Sequence, residues 1–293
     1  MKTTVNNKNI LTFPIVPPFD IAYRNGRILH PVGPHSHDAV EIYYTLSDLP
    51  DVLLNNTVSA VPAGTLIIIP PFCVHQLYHE VGKLQERYIL SINLQWLNGV
   101  FCNREEYFSY LKERSKPLVI TPSSSQKTQW QQLSDSLLTF SSFHTPEALS
   151  LFFRILALLN QMVDSLSPKE TLQLPVSAGQ KRTNDIICYI QTHIYENLTV
   201  ADLATHFYLH PDYLSRLFKK HAHISVSQYI TLQKITTAQS FLREGYTVTQ
   251  VQEKLGYSSY AYFFKSFQKN TGLSPSKYRE QYQISKTNDR SPK

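Results

Sequence analysis

Two sets of side chains in this chain could do chemistry. The first is His35-Ser36-His37, with Glu41 four residues on, at the start of a stretch from Val40 to Leu46 that is rich in β-formers. Residues i and i+2 of an extended strand share a face, so His35 and His37 can point into one cavity. Imidazole and carboxylate there could hydrogen-bond a polar ligand, or suit iron, manganese or zinc. The second set is basic. Arg216, Lys219 and Lys220, then Lys265 and Lys269, fall in two similar stretches, LTVADLATHFYLHPDYLSRLFKK (198–220) and TVTQVQEKLGYSSYAYFFKSFQK (247–269). Repeated cations suit a polyanion, with lysine holding phosphates and arginine able to read guanine.

The elements that must position the basic set can be read from apolar spacing. A shift of 49 residues lays Leu214 on Phe263, Phe218 on Phe267 and Lys220 on Lys269. A shift of 48 lays Leu203 on Val251 and Leu209 on Tyr257, so the one-residue difference falls in a turn. Val200, Leu203, Ala204 and Phe207 form one helical face, Tyr208 to Pro211 breaks it, and Pro211 suits the first position of a new helix. In that helix Leu214, Leu217 and Phe218 face inward and Asp212, Ser215, Arg216 and Lys219 outward. In the second copy Gly256 ends the first helix and Ser258 or Ser259 caps the next, leaving Tyr260, Ala261, Tyr262, Lys265 and Lys269 outside. Two helix-turn-helix units are expected, each able to present its second helix to the major groove. A helical bundle with solvated basic faces is the plainer alternative.

Charge agrees with that placement. From Lys181 onward there are 15 Lys and Arg but 8 Asp and Glu, a net +7, against −1 for the first 180 residues. Phosphate binding would put the excess there. Three cysteines (Cys73, Cys102, Cys188) without paired spacing argue against a disulfide framework or zinc site. No apolar run reaches the ~18 residues of a membrane span, and MKTTVNNKNILTF lacks an apolar signal core. A cytoplasmic protein is expected. No nucleophile motif, phosphate loop or dinucleotide fingerprint is present.

The first 122 residues read as short strands between turns. Val52–Leu54 and Thr57–Val58 form a hairpin, Thr65–Ile69 a buried strand, and Glu86–Leu94 another, which argues for a small barrel or two-sheet roll. Asn103–Leu111 reads as helical. Helices follow from Ser124 to Phe143 and from Thr145 to Leu166. In the latter Leu149, Phe152, Phe153, Leu156, Leu159 and Met162 make a stripe wide enough for either a dimer helix or packing across the barrel. SPKETLQLPVSAGQKR has a linker's composition. The expected divisions are 1–122 barrel, 123–166 helical segment, 167–183 linker, 184–284 DNA-binding domain and 285–293 polar tail.

Residues from about Asn184 to Tyr282 resemble the C-terminal domain of AraC/XylS-type transcriptional regulators. The match is carried by Leu203-Ala204, Tyr213 to Lys219, Gly256-Tyr257, Phe263, Phe267 and Gly272-Leu273-Ser274-Pro275-Ser276-Lys277-Tyr278-Arg279. Three positions depart from it: His221-Ala222-His223 where a glycine turn is usual, Lys234 where Arg is usual, and Gln252 where a small residue is usual. The resemblance implies that Asp212, Ser215, Tyr260, Ala261 and Tyr262 face base edges with Arg216 and Lys265.

Gly64, Pro70 and His75, after His35, His37 and Glu41, resemble the two motifs of the cupin barrel, with Phe72 at a place often held by Gly and His79 at one often held by Asn. In cupin enzymes the matching three His and Glu bind a divalent metal. Related regulators use such a barrel as an effector pocket, so Arg24, Tyr43, Tyr78 and Trp96 join the four as candidate effector contacts. The fold expected is α+β: an N-terminal cupin-like β-barrel with flanking helices, then an all-α domain of two helix-turn-helix units. The function expected is a transcriptional regulator, an activator by family habit and not an enzyme. It would act on double-stranded DNA in response to a small molecule, a sugar by resemblance, as a homodimer if the 145–166 stripe pairs copies. No cofactor is expected. The rival is a metal-dependent cupin enzyme using His35, His37, Glu41 and His75.

Overall fold

A computed structural model describes residues 18–27, 33–54, 57–78, 81–101, 117–166 and 176–288. They divide into two compact units between Lys181 and Arg182. The expected helix at Asn103–Leu111, together with Cys102 and His79, lies outside the described residues.

The N-terminal unit holds two antiparallel sheets. Its strands are β1 (Phe19–Arg27), β2 (Val40–Thr45), β3 (Leu49–Leu54), β4 (Thr57–Val61), β5 (Thr65–Ile69), β6 (His75–Tyr78), β7 (Leu84–Ile92) and β8 (Leu118–Ile120). The larger sheet runs β1-β7-β2-β5-β8 and the smaller β4-β3-β6. Strict alternation gives the larger sheet two different faces. Phe19, Ile21, Ile42, Tyr44, Leu66, Ile68, Tyr88 and Leu90 pack under α2 (Ser124–Leu138) and α3 (Pro146–Asp164). Tyr43, Ile67 and Ile69 on the other face meet Leu49, Val52 and Leu54 of the smaller sheet. Burial on both faces explains why β5 is buried throughout and reads as an unbroken apolar run.

The wide stripe on α3 is taken up by this packing. Phe152, Leu156, Leu159 and Met162 are buried, Leu149 and Phe153 half-buried against the same core, and Phe152 stacks on Phe19 at 4.1 Å. Thr145 caps α3 with Pro146 first, as its sequence requires. The strand expected to reach Leu94 stops at Ile92, because Asn93 accepts from Trp96 N and caps α1 (Leu94–Val100). Trp96 therefore sits against Phe19, Phe152 and Phe153 in the helix-covered layer, away from the inner face, which corrects its assignment as a ligand contact.

The second unit is helical: α4 (Ala178–Thr192, which crosses the division), α5 (Val200–His206), α6 (Pro211–Ala222), α7 (Val226–Glu244), α8 (Val248–Lys254), α9 (Tyr260–Thr271) and α10 (Pro275–Asn288). Helix α4 starts inside the stretch expected to be linker, and α10 runs into the expected tail. Capping boxes start α5 (Thr199/Asp202), α7 (Ser225/Gln228) and α8 (Thr247/Gln250). His223 ends α6 at φ +52, the conformation for which a glycine is usual, so this departure keeps the turn at a steric cost.

Lys234, the second departure, is 6% exposed and donates to Glu196 O (2.9 Å) and Leu255 O (2.7 Å). One ammonium thus ties together the chain after α4 and the end of α8. Burial lowers its pKa. Lys234→Met removes both charge-assisted bonds and leaves two carbonyls short of a donor, so equilibrium denaturation should show a loss of about 2 kcal/mol. An unchanged midpoint would mean that other donors satisfy these carbonyls.

Candidate DNA interface and ligand site

In the first unit Leu203, Ala204, Leu214 and Phe218 are buried, which leaves one face of α6 outward. Asp212, Arg216, Lys219 and Lys220 on it are exposed and Ser215 is half-buried. In the second unit Val251, Phe263 and Phe267 are buried while Tyr260, Ala261, Tyr262, Lys265 and Lys269 are exposed. All ten positions read from sequence as outward thus lie on surface or partly open faces. Asp212 stands beside His210, whose Nδ1 is 3.7 Å from its carboxylate and accepts from its backbone N–H. Arg216 makes no hydrogen bond or ion pair among the described residues. Tyr208, 95% exposed in the turn, and Tyr213 on α6 are exposed rings that the sequence reading left out. A period-based reading passes over them because neither falls on the buried face. Gln252, the third departure, donates its amide to Tyr257 O, and Val251 and Leu255 beside it are fully buried.

The other cluster lies at one end of the N-terminal sheets. His35 and His75 pair through both backbone bonds, at 3.0 and 2.9 Å. Phe72 N–H donates to His37 O at 2.8 Å, with Phe72 at φ +60, the conformation that a glycine would take easily. These bonds hold the loop before β6 against the one before β2. The ring centroids of His35 and His37 then stand 4.3 and 5.0 Å from that of His75. One ligand nitrogen from each ring lies within 4.8 Å of the other two. Glu41, at the start of β2, meets His37 Nε2 at 2.8 Å and lies 3.8 Å from His75 Nε2.

Hydrogen bonds set the protonation of each ring. His35 Nδ1 faces Gly33 O and His75 Nδ1 faces Cys73 O, both at 3.0 Å, so each donates from Nδ1 and leaves Nε2 bare. Burial lowers both pKa values, His75 to about 3, so both are neutral at pH 7. His37 differs. Burial opposes its charge, but Nδ1 faces Ala39 O and Nε2 faces Glu41, and these raise its pKa. Burial likewise opposes ionisation of Glu41, yet the His37 bond and the surrounding imidazoles hold it at about 2. The site therefore sets a carboxylate, hydrogen-bonded to His37 and favouring that ring's protonated form, beside two neutral imidazoles. His75 Nε2 is buried and, among the described residues, has no hydrogen-bond partner.

The remaining candidates scatter. Tyr43 is 2% exposed on the inner face of β2, two residues from Glu41, and burial pushes its phenol pKa up. Arg24, on the same face of β1, is exposed. Tyr78 is a correction. In β6, His75 and Leu77 share a side and Leu77 joins the inner core, so Tyr78 alternates to the other side.

Residues 203–281 match the model of a helix-turn-helix domain. The regulatory protein PocR of Salmonella typhimurium is 33% identical over 94 residues, covering 32% of this chain and 31% of PocR. The HTH-type transcriptional regulator YfiF of Bacillus subtilis is 23% identical over 264 residues, covering 86% of this chain and 80% of YfiF. The chain spans 16%, 31% and 39% of the lengths of the first three curated relatives it matches. Among solved structures, the C-terminal domain of AraT from Geobacillus stearothermophilus is 30% identical at a TM-score of 0.33 over 36% of this chain and 87% of that one. ToxT of Vibrio cholerae is 12% identical at 0.37 over 90% and 97%. The matched segment, with its duplicated helix-turn-helix architecture, is an AraC-type helix-turn-helix domain.

Proposed function

We propose that this chain is a sequence-specific DNA-binding transcriptional regulator, not an enzyme, whose N-terminal unit binds a small-molecule effector. The observation that carries the reading is the pair of helix-turn-helix units with Arg216, Lys219, Lys220, Lys265 and Lys269 all exposed. Counterion release then requires the binding constant to fall linearly with salt on logarithmic axes. Fluorescence anisotropy of a labelled duplex titrated with the full chain measures this. No salt-dependent binding would remove the DNA-binding reading.

The two antiparallel sheets support a cupin-like effector barrel, with His35, His37, Glu41, His75 and Tyr43 lining one end. The sign is taken as activation and the first ligands to screen as sugars, both by family resemblance. A ligand acts by binding two states of the protein unequally. His37→Ala removes the imidazole that hydrogen-bonds Glu41. It should weaken an identified effector at least tenfold, about 1.4 kcal/mol. Affinity for DNA without effector should be unchanged in the same titration, and equal effector affinity in variant and parent would exclude His37 from the site.

The orphaned His75 Nε2 favours a second reading of the same cluster. Two Nδ1–H imidazoles with bare Nε2 atoms, a third His and a carboxylate form a donor set that suits a divalent transition metal. His35, His37, His75 and Glu41 would hold it, and it would supply a Lewis-acidic centre for an oxygen ligand. Metal analysis of the purified chain, repeated on His75→Ala after chelator dialysis and reloading with zinc, tests this reading. Equal zinc in both proteins would reject it.

A further inference from the structure

The inner face of the larger sheet carries a second polar group, far from the histidines. Phe19, Ile21 and Tyr23 of β1 face the helices or Tyr88, as do Tyr88, Leu90 and Ile92 of β7. Alternation therefore puts Asp20, Ala22 and Arg24, and Arg87, Ile89 and Ser91, on the inner face. The register sets Arg24 directly opposite Arg87, and Arg87 opposite Thr45. Directly opposed residues of an antiparallel pair have Cβ atoms roughly 5 Å apart, and like charges so placed destabilise a sheet. Among the described residues neither guanidinium has a hydrogen bond or ion pair. Asp20 is near enough for the charge of Arg24 to act on its carboxyl, and Tyr43 near enough for that of Arg87 to act on its phenol.

We infer that Arg24 and Arg87 form an anion-binding subsite for the effector, taking the carboxylate or phosphate of a small organic acid. Two planar forks on one face suit the bidentate geometry of such an oxyanion, which would also relieve their repulsion. The next row along the face, Ala22, Ile89 and Tyr43, is mainly apolar and would carry the ligand's body. Glu41 lies four residues along β2 from Thr45, about 13 Å away at the rise of a strand, where the histidine cluster would meet a distal polar group. A sugar acid or sugar phosphate has both ends. The inference rests on the reading of the N-terminal unit as an effector domain, and narrows its ligand to an anion.

The test compares the full chain with Arg87→Gln and with Arg24→Gln by thermal unfolding. The probes, at equal ionic strength, are chloride, acetate, inorganic phosphate, gluconate, glucose 6-phosphate and neutral glucose. General salt effects, and phosphate bound by the DNA-binding unit, are common to all three proteins and cancel in the comparison. The expected result is that at least one organic anion raises the parent's midpoint by at least 2 °C more than it raises that of either variant, while glucose does not discriminate. Gluconate acting alone assigns a carboxylate, and glucose 6-phosphate acting alone a phosphate. Identical responses of parent and variants to every probe overturn the subsite. Stabilisation of all three proteins by neutral glucose, with no anion discriminating among them, overturns it too, while leaving the effector-domain reading intact. Should an anion discriminate but leave DNA affinity unchanged, the subsite stands and effector control of DNA binding fails.

Discussion

Gly256→Ala should destabilise the C-terminal unit by about 3 kcal/mol or more and abolish DNA binding at temperatures where the parent still binds. Gly256 ends the first helix of the second helix-turn-helix at φ +66, a region costly to any side chain. A methyl there would stand 2.6 Å from Tyr195 O, a backbone atom. That carbonyl has little room to retreat. The next carbonyl, Glu196 O, is bonded to Lys234, which also holds Leu255 O immediately before Gly256. The substitution thus adds a steric cost to a conformational one. Gly272→Ala separates the two. Gly272 sits at φ +75 with nothing within 4 Å of a methyl, so it should lose only the conformational part, about 1 kcal/mol. Denaturant unfolding of both variants, followed by helical circular dichroism, decides it. Equal losses would show that the Tyr195 approach contributes nothing.

What sequence could reveal here follows the range of the forces involved. The two helix-turn-helix units were legible because their signals are local. Leu214, Phe218, Phe263 and Phe267 recur at helical spacing, Pro211 and Gly256 punctuate, and Ser259 caps. The histidine cluster was legible only through a motif. Its convergence depends on the His35–His75 backbone pairing, which joins residues 40 apart, and on Phe72 taking a left-handed conformation that its identity argues against. Arg87 was missed because its meaning lies in register. Only the pairing of β1 with β7 sets it opposite Arg24, and no spacing within either strand shows that. Tyr78 was misplaced for the same reason: a four-residue strand has two faces, and sequence did not say which one holds His75. Trp96 was misplaced because Asn93 caps a helix where strand was expected. The α3 stripe was read correctly as apolar, but its partner, the outer face of the β-sheet, is itself a long-range construction.

Arg216→Ala and Lys219→Ala should separate base reading from phosphate holding within a single helix. Both side chains are exposed on α6, three residues apart, so they project from adjacent turns of one face. Arg216 lies two residues past Leu214 and Lys265 two past Phe263, the matching outer position of the other unit. Among the described residues Arg216 pairs with neither Asp212 nor any other side chain, so the guanidinium is left to face a ligand. An arginine bidentate to guanine contributes about 1–3 kcal/mol of discrimination, so Arg216→Ala should relax preference at one or two positions of one half-site. The second unit, about ten base pairs away if both helices enter successive major grooves, should keep its preference. Lys219→Ala should weaken all sequences alike and reduce the salt slope by about one unit. Selection from a random duplex pool gives the sequence preference, and anisotropy at several salt concentrations gives the slope. Should Arg216→Ala leave the selected sequence unchanged while weakening every site equally, the guanidinium holds phosphate. Discrimination in the first unit would then fall to Asp212, Ser215 and the exposed Tyr213, and the same selection on variants of these three residues would assign it.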